Sequence, residues 1–139
     1  MIVVDTSALM AIILDEPEAD ACIAVLISEN NLLMSAATLA EALIVASRRN
    51  VGDDMVRLID GLNVDVVSVT PATARRVADV YDIWGKGIHP AALNFADCFA
   101  YDLAKQCGCP LLFVGNDFGR TDIQRAGGRI GPESARSLR

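Results

Sequence analysis

Four short apolar runs punctuate the chain: Ile2–Val4, Leu32–Ser35, residues 64–69 and residues 111–115. Their length and enrichment in Val, Ile and Leu predict strands. Between them apolar residues recur at helical spacing. Asp5-Thr6-Ser7 offers capping oxygens to a helix over residues 8–14, with Thr6 or Ser7 able to take the cap and leave Asp5 free. Pro17 suits the first turn of a second helix reaching Leu26. Ser35 or Thr38 can cap a third that runs to Arg49 and stops at Asn50-Val51-Gly52. Residues 53–62 form a short amphipathic helix, and Thr70-Pro71 opens another that extends to Tyr81 or Trp84. Gly85-Lys86-Gly87-Ile88-His89-Pro90 is a loop, and residues 90–106 a last helix ended by Gly108 and Pro110. Strands alternating with helices in this way predict an α/β domain, a mostly parallel central sheet flanked by helices. In such sheets, sites form beyond the carboxyl ends of the strands. Asp5 stands at that end of the first strand and Asp117 at that end of the last.

The length of 139 residues fits one domain, residues 1–139, and 53% apolar against 22% charged residues supports a sizeable core. No apolar run approaches the roughly 18 residues of a membrane span. No basic residue precedes the first apolar stretch, so a signal peptide is not expected and the protein reads as cytoplasmic. Cys22, Cys98, Cys107 and Cys109 match neither a disulfide framework nor a zinc knuckle and read as reduced, mostly buried thiols. The net charge of −6 argues against simple polycation binding to nucleic acid. The distribution is uneven, however. Residues 118–139 hold five arginines against two acids, a net of +3, which leaves −9 for the rest. This Arg-rich C-terminal segment is either a solvated tail or a surface for a phosphate chain.

Four acids occupy positions where a plain core would not put them: Asp5, Glu41, Asp97 and Asp117. Buried charge is costly unless paired or bound to a metal. Two carboxylates ~4 Å apart repel by roughly 4 kcal/mol at an effective dielectric near 20. If the four meet, either some are protonated or a divalent ion sits among them, and oxygen-only ligands favour Mg²⁺, with Mn²⁺ as substitute, over zinc. Each acid has a second explanation. Asp5 can cap the first helix. Thr38-x-x-Glu41 matches a capping box, although Glu41 is the only charge in its apolar run, on a helix that reads as buried nearly all round. Asp117 follows Asn116 in ordinary turn chemistry. Asp97 sits with Leu93, Asn94, Ala100, Tyr101 and Ala104 on one helical stripe, whereas Asp102 points away and reads as a solvated surface acid. Asp122 is a secondary candidate, as a fifth acid or a helix cap.

Other chemistries drop out. His89 is the only histidine, which rules out a two-histidine ribonuclease mechanism and paired-histidine zinc sites. No phosphate-binding Gly-x-x-x-x-Gly-Lys loop and no Gly-x-Ser-x-Gly elbow is present.

Taken in order, Asp5-Thr6-Ser7-Ala8, the stretch from Ser35 to Glu41, the stretch from Leu93 to Tyr101, and Leu112-Phe113-Val114-Gly115-Asn116-Asp117-Phe118 with Thr121-Asp122-Ile123 resemble the PIN-domain ribonucleases of the VapC toxin type. The resemblance spans nearly the whole chain. It implies a three-layer PIN-like fold and a Mg²⁺-dependent endoribonuclease that leaves a 5′-phosphate and a 3′-hydroxyl. It also implies the toxin half of a toxin–antitoxin pair, a homodimer held in check by a small VapB-like antitoxin. By position, Asp5 and Asp97 match the principal metal ligands, and Glu41 and Asp117 the rest of the catalytic quartet. Thr6 or Ser7 and Asn94 match supporting polar positions. Arg120 and Arg125, close to Asp117, are candidate RNA phosphate contacts. The family often has Gly where Ala96 stands and a small residue where Asp102 stands. Two alternatives share the fold class: a receiver-like Mg²⁺-binding module and an inactive PIN-like interaction domain. A receiver would carry an adjacent acid pair at the first strand and a lysine after the last, which Lys86 and Lys105 do not supply.

Overall fold

Ile2, Val3 and Val4 are all essentially inaccessible, so the first strand is buried on both faces, as expected at the centre of a parallel sheet. The structure, a computed structural model, describes residues 1–128. Arg129, Glu133, Arg136 and Arg139 of the Arg-rich segment lie outside the described residues. The elements are β1 (Ile2–Val4), α1 (Thr6–Ile13), α2 (Ala19–Ser28), β2 (Leu32–Ser35), α3 (Ala36–Arg48), α4 (Gly52–Leu62), β3 (Asp65–Val67), α5 (Pro71–Trp84), α6 (Phe95–Cys107) and β4 (Leu111–Leu112). A 3-10 turn, Phe118–Arg120, follows.

The sheet has the order β3-β2-β1-β4, and every pairing in it is parallel. Val3 lies opposite Leu111 and Val4 opposite Leu112, while Ile2 lies opposite Leu32. Alternation across the pleat divides the core in two. Ile2, Val4, Met34 and Leu112 pack with Leu9, Cys22, Ala42, Met55 and other residues of α1–α4. Val3, Leu111 and Phe113 pack with Val77 of α5 and with Cys98, Phe99, Ala100 and Leu103 of α6. Helices therefore cover both faces, the three-layer α/β arrangement.

The chain winds outward from β1 through β2 to β3, then returns across the sheet to place β4 on the other side of β1. The winding direction thus reverses between β1 and β4, and the carboxyl side of that point is where a crevice opens in an open α/β sheet.

Several boundaries differ from those the pattern predicts. The last two strands are shorter than their apolar runs: β3 keeps only Asp65–Val67, and beyond β4 residues 113–115 leave the ladder to form the rim. Pro17 lies ahead of α2 and not in its first turn. The last helix begins at Phe95, five residues after Pro90: the residues between turn tightly, with the Ala92 amide bonded to the His89 carbonyl (2.9 Å) and the Leu93 amide to the Trp84 carbonyl (3.1 Å). Leu93 is therefore core but not helical. Gly85 starts this loop where a Cβ would overlap the Tyr81 carbonyl, so only glycine fits. All four cysteines are free thiols, three buried and Cys107 half-buried. Among the described residues no helix is long and apolar enough to cross a membrane.

Candidate functional site

Asp5 directly follows β1 and is 3% exposed. Its amide continues the ladder to β4 through the Leu112 carbonyl (3.0 Å). Asp5 itself is the N-cap of α1: Oδ2 accepts the Ser7 amide at 3.0 Å and the Ser7 hydroxyl at 2.6 Å. Neither Thr6 nor Ser7 relieves it of that task; the Thr6 hydroxyl instead donates to the Thr38 carbonyl (3.4 Å). The cap uses only one carboxylate oxygen. Oδ1 is buried with no hydrogen-bond partner, an arrangement that costs free energy unless something else binds there. Burial raises the carboxyl from 3.8 to about 7; the two Ser7 donors pull it back, and the charges of Asp97 and Glu41 push it further up.

Glu41 lies on α3, whose N-cap is Ser35, the hydroxyl of which accepts the Ala37 amide (3.2 Å). Thr38 falls inside the helix, and its hydroxyl is buried without a partner. The capping box suggested by Thr38-x-x-Glu41 is therefore not made. Nor is α3 buried all round: Thr38, Ala42 and Ala46 face inward, while Ile44 is 61% exposed. Glu41 is half-buried, and its charge acts on both Asp5 and Asp97.

Asp97 is the third residue of α6, where Oδ2 accepts the Asn94 amide (2.8 Å). Its carboxyl rises to about 6 because burial outweighs that donor and because Glu41 and Asp117 repel it. Asn94, exposed at the N-cap, supports Asp97 through its backbone amide. Asp117 is exposed just before the 3-10 turn. The fold thus brings all four acids into one electrostatic neighbourhood. Among the described residues no three acid, His or Cys side chains are already closed into a ligand cage. The donors are hard carboxylate oxygens, one of them orphaned, which fits Mg²⁺ or Mn²⁺.

A family model for the PIN domain matches residues 2–124. Among curated proteins, the chain is 42% identical to VapC ribonuclease Mb0640 of Mycobacterium bovis over 125 residues, covering 87% of this chain and 95% of that protein. The chain is a PIN-domain protein of the VapC family. A second relative, ribonuclease VapC28 of Mycobacterium tuberculosis, is 40% identical over 128 residues, 89% of this chain and 96% of that protein. Solved structures share the fold. Mycobacterium tuberculosis VapC20, described as a sarcin-ricin loop cleaving toxin, superposes with a TM-score of 0.74 at 17% identity, covering 88% of this chain and 96% of that one. A chain of a toxin–antitoxin complex from Klebsiella pneumoniae gives 0.69 at 15% identity over 94% of this chain and 100% of its own.

Around the acids this PIN domain carries features that periodicity did not reveal. Asp102 is 4% exposed, not solvated: Arg76 of α5 reaches it with Nε on Oδ1 (2.9 Å) and a terminal nitrogen on Oδ2 (3.2 Å). The partner is 26 residues away in sequence, so helical spacing within α6 could not disclose it. Asp122 is also engaged. Tyr101 Oη donates to Oδ1 (2.5 Å) and Lys105 Nζ to Oδ2 (2.8 Å). Partial burial works against its ionisation, but these donors outweigh it and hold the carboxyl below the usual range. Arg120 reaches the Pro90 carbonyl (3.1 Å). The Arg125 guanidinium lies over the Phe113 ring (4.2 Å) with one nitrogen on the Gly115 carbonyl (3.4 Å).

Proposed function

We propose that this protein is a divalent-metal-dependent endoribonuclease and the toxin component of a toxin–antitoxin pair, acting in the cytoplasm, with residues 1–139 as one PIN domain. The observation that carries the reading is the unpartnered Oδ1 of Asp5, buried at the point where the sheet reverses direction, within the field of Asp97 and Glu41. Kinship with VapC ribonucleases at about 40% identity supports the same chemistry. Neighbouring structures solved as toxin–antitoxin complexes support an antitoxin partner, and the family resemblance a homodimer.

Asp5 and Asp97 would be the principal ligands of Mg²⁺ or Mn²⁺, with Glu41 and Asp117 completing the acidic quartet. When bound, the ion lowers the pKa of a water ligand and offsets charge on the scissile phosphate. The protein's own groups do the positioning. Ser7 fixes Asp5 Oδ2 so that Oδ1 is presented inward. The Asn94 amide orients Asp97. Glu41 adds its charge beside both, and Asp117 beside Asp97. Arg120 and Arg125, each braced by a backbone carbonyl, contact the RNA phosphates.

The test is cleavage of a mixed RNA pool with Mg²⁺, with EDTA, and by Asp97→Asn. Metal-dependent cleavage that disappears in Asp97→Asn is expected. Equal cleavage by Asp97→Asn removes the site assignment. Absence of cleavage across varied RNAs points to a non-catalytic module, receiver-like or a degenerate PIN domain.

A further inference from the structure

We propose that Asp122 is a positioning residue for Asp117: clamped by Tyr101 and Lys105 of α6, it fixes the loop that presents Asp117 and does not itself bind the metal. The inference rests on the metal-site reading above, since Asp117 matters only if that site is used.

Asp117 differs from Asp5 and Asp97, whose carboxylates each accept a backbone amide. It is exposed and lies outside regular structure, so its place depends on how the loop is held. Two anchors follow it. Phe118, 3% exposed, packs on Phe113 with ring centroids 5.2 Å apart. Four residues later, Asp122 gives one oxygen to the Tyr101 hydroxyl and the other to the Lys105 ammonium. Thr121 closes the turn between them: its amide and its hydroxyl both donate to the Phe118 carbonyl, at 3.0 and 2.7 Å.

The anchor is rooted deeply. Tyr101 is 6% exposed, and its hydroxyl also accepts Trp84 Nε1 at 3.1 Å, so the phenol cannot turn away without breaking a second bond. Lys105 lies over the Tyr101 ring (5.7 Å) while it holds the other oxygen. Asp97 and Tyr101 are four residues apart on α6, which puts them on one face a single turn apart. The helix that presents Asp97 directly therefore also sets the position of the Asp117 loop. One rigid element fixes the spacing of two acids, one in its own first turn and one in the loop after β4. With both oxygens committed to donors on α6, the Asp122 carboxylate has a structural task that competes with metal coordination.

The experiment compares Mn²⁺ affinity by calorimetry for the wild type, Asp122→Ala, Asp122→Asn, Tyr101→Phe, Asp117→Ala and the double variant Asp117→Ala with Asp122→Ala. Each is first checked for native circular dichroism. Loss of a positioning partner typically weakens metal binding roughly 10–100-fold. Asp122→Ala and Tyr101→Phe should both fall in that range. Asp122→Asn keeps an oxygen for the Tyr101 hydroxyl and should recover most of the affinity, which a lost ligand would not. The double variant should bind no worse than Asp117→Ala alone. Unchanged affinity in Asp122→Ala overturns the proposal, as does wild-type affinity in Tyr101→Phe together with loss in Asp122→Asn, the signature of direct coordination. Absence of Mn²⁺ binding by the wild type overturns the metal site itself, and the proposal with it.

Discussion

The Ser7 hydroxyl donates to Asp5 Oδ2 at 2.6 Å while it accepts the Val114 amide at 3.0 Å, so one oxygen atom ties the end of β1 to the segment leaving β4. Ser7→Ala leaves the Val114 amide without its acceptor and frees the Asp5 rotamer. An unmade bond at a partly buried group costs about 1–3 kcal/mol. The unfolding midpoint in urea should fall accordingly, and Mn²⁺ affinity with it. A midpoint equal to that of the wild type would show that the contact does not hold the rim together.

Asp5 and Asp97 stand at about 7 and about 6 in the folded protein against an ordinary 3.8. Both are raised, so the unfolded chain gives up these protons more readily than the folded one. Their contribution to stability is complete below about pH 4 and is lost as the pH climbs through about 6 and then about 7. For Asp5 the loss amounts to roughly 4 kcal/mol at most. In EDTA, the wild type should therefore weaken relative to Asp5→Asn between about pH 5 and pH 8. Mg²⁺ should restore the wild type at pH 8 and have little effect at pH 5, where protons compete for the same oxygens. Thermal midpoints across that range decide it; a wild type that gains on Asp5→Asn with rising pH in EDTA contradicts the assignment.

Because Ser35, and not Thr38 with Glu41, caps α3, the two positions should separate cleanly. Ser35→Ala should cost about 1 kcal/mol of stability. Glu41→Ala should leave metal-free stability within about 0.5 kcal/mol, the usual range for a surface change, yet reduce metal-dependent RNA cleavage. A capping role for Glu41 would reveal itself as a drop in the metal-free midpoint comparable to that of Ser35→Ala.

Arg76 and Asp102 join α5 to α6 through two parallel hydrogen bonds around a carboxylate that is almost wholly buried. Arg76→Ala strands that charge. It should lower the thermal midpoint far more than Arg57→Ala, whose partner Asp54 is well exposed. Adding Asp102→Leu to Arg76→Ala should recover much of the loss; if the double variant is no more stable than Arg76→Ala, the stranded charge is not the cause.

The strands, the helix order and the parallel sheet were legible because burial on two faces leaves unbroken apolar runs and amphipathic helices leave their period. Asp5, Glu41 and Asp97 stand out as candidates because charge within apolar sequence is conspicuous, and Asp117 because it ends the last strand-like run. What periodicity could not supply was pairing across the fold. Asp102 has the same local context as a surface acid, and only the approach of Arg76 from another helix makes it a core residue. For Asp5 the sequence offers a cap or a ligand as alternatives, whereas its two oxygens have different surroundings. The start of α6 is not legible in the sequence because Pro90 suits a first helical position, and the hydrogen bonds that hold residues 90–94 in a turn come from Trp84 and His89.

The strand order has a consequence for the protein as it is made. β1 leaves the ribosome first, but one of its edges stays bare until β4, more than a hundred residues later, arrives to pair Val3 with Leu111. Asp5 gains its Leu112 and Ser7 its Val114 partner only then. Glu41 and Asp97 are already synthesised by that time, but the rim that gathers them is not. A nascent chain therefore carries its four acids dispersed until β4 has been made and has paired with β1.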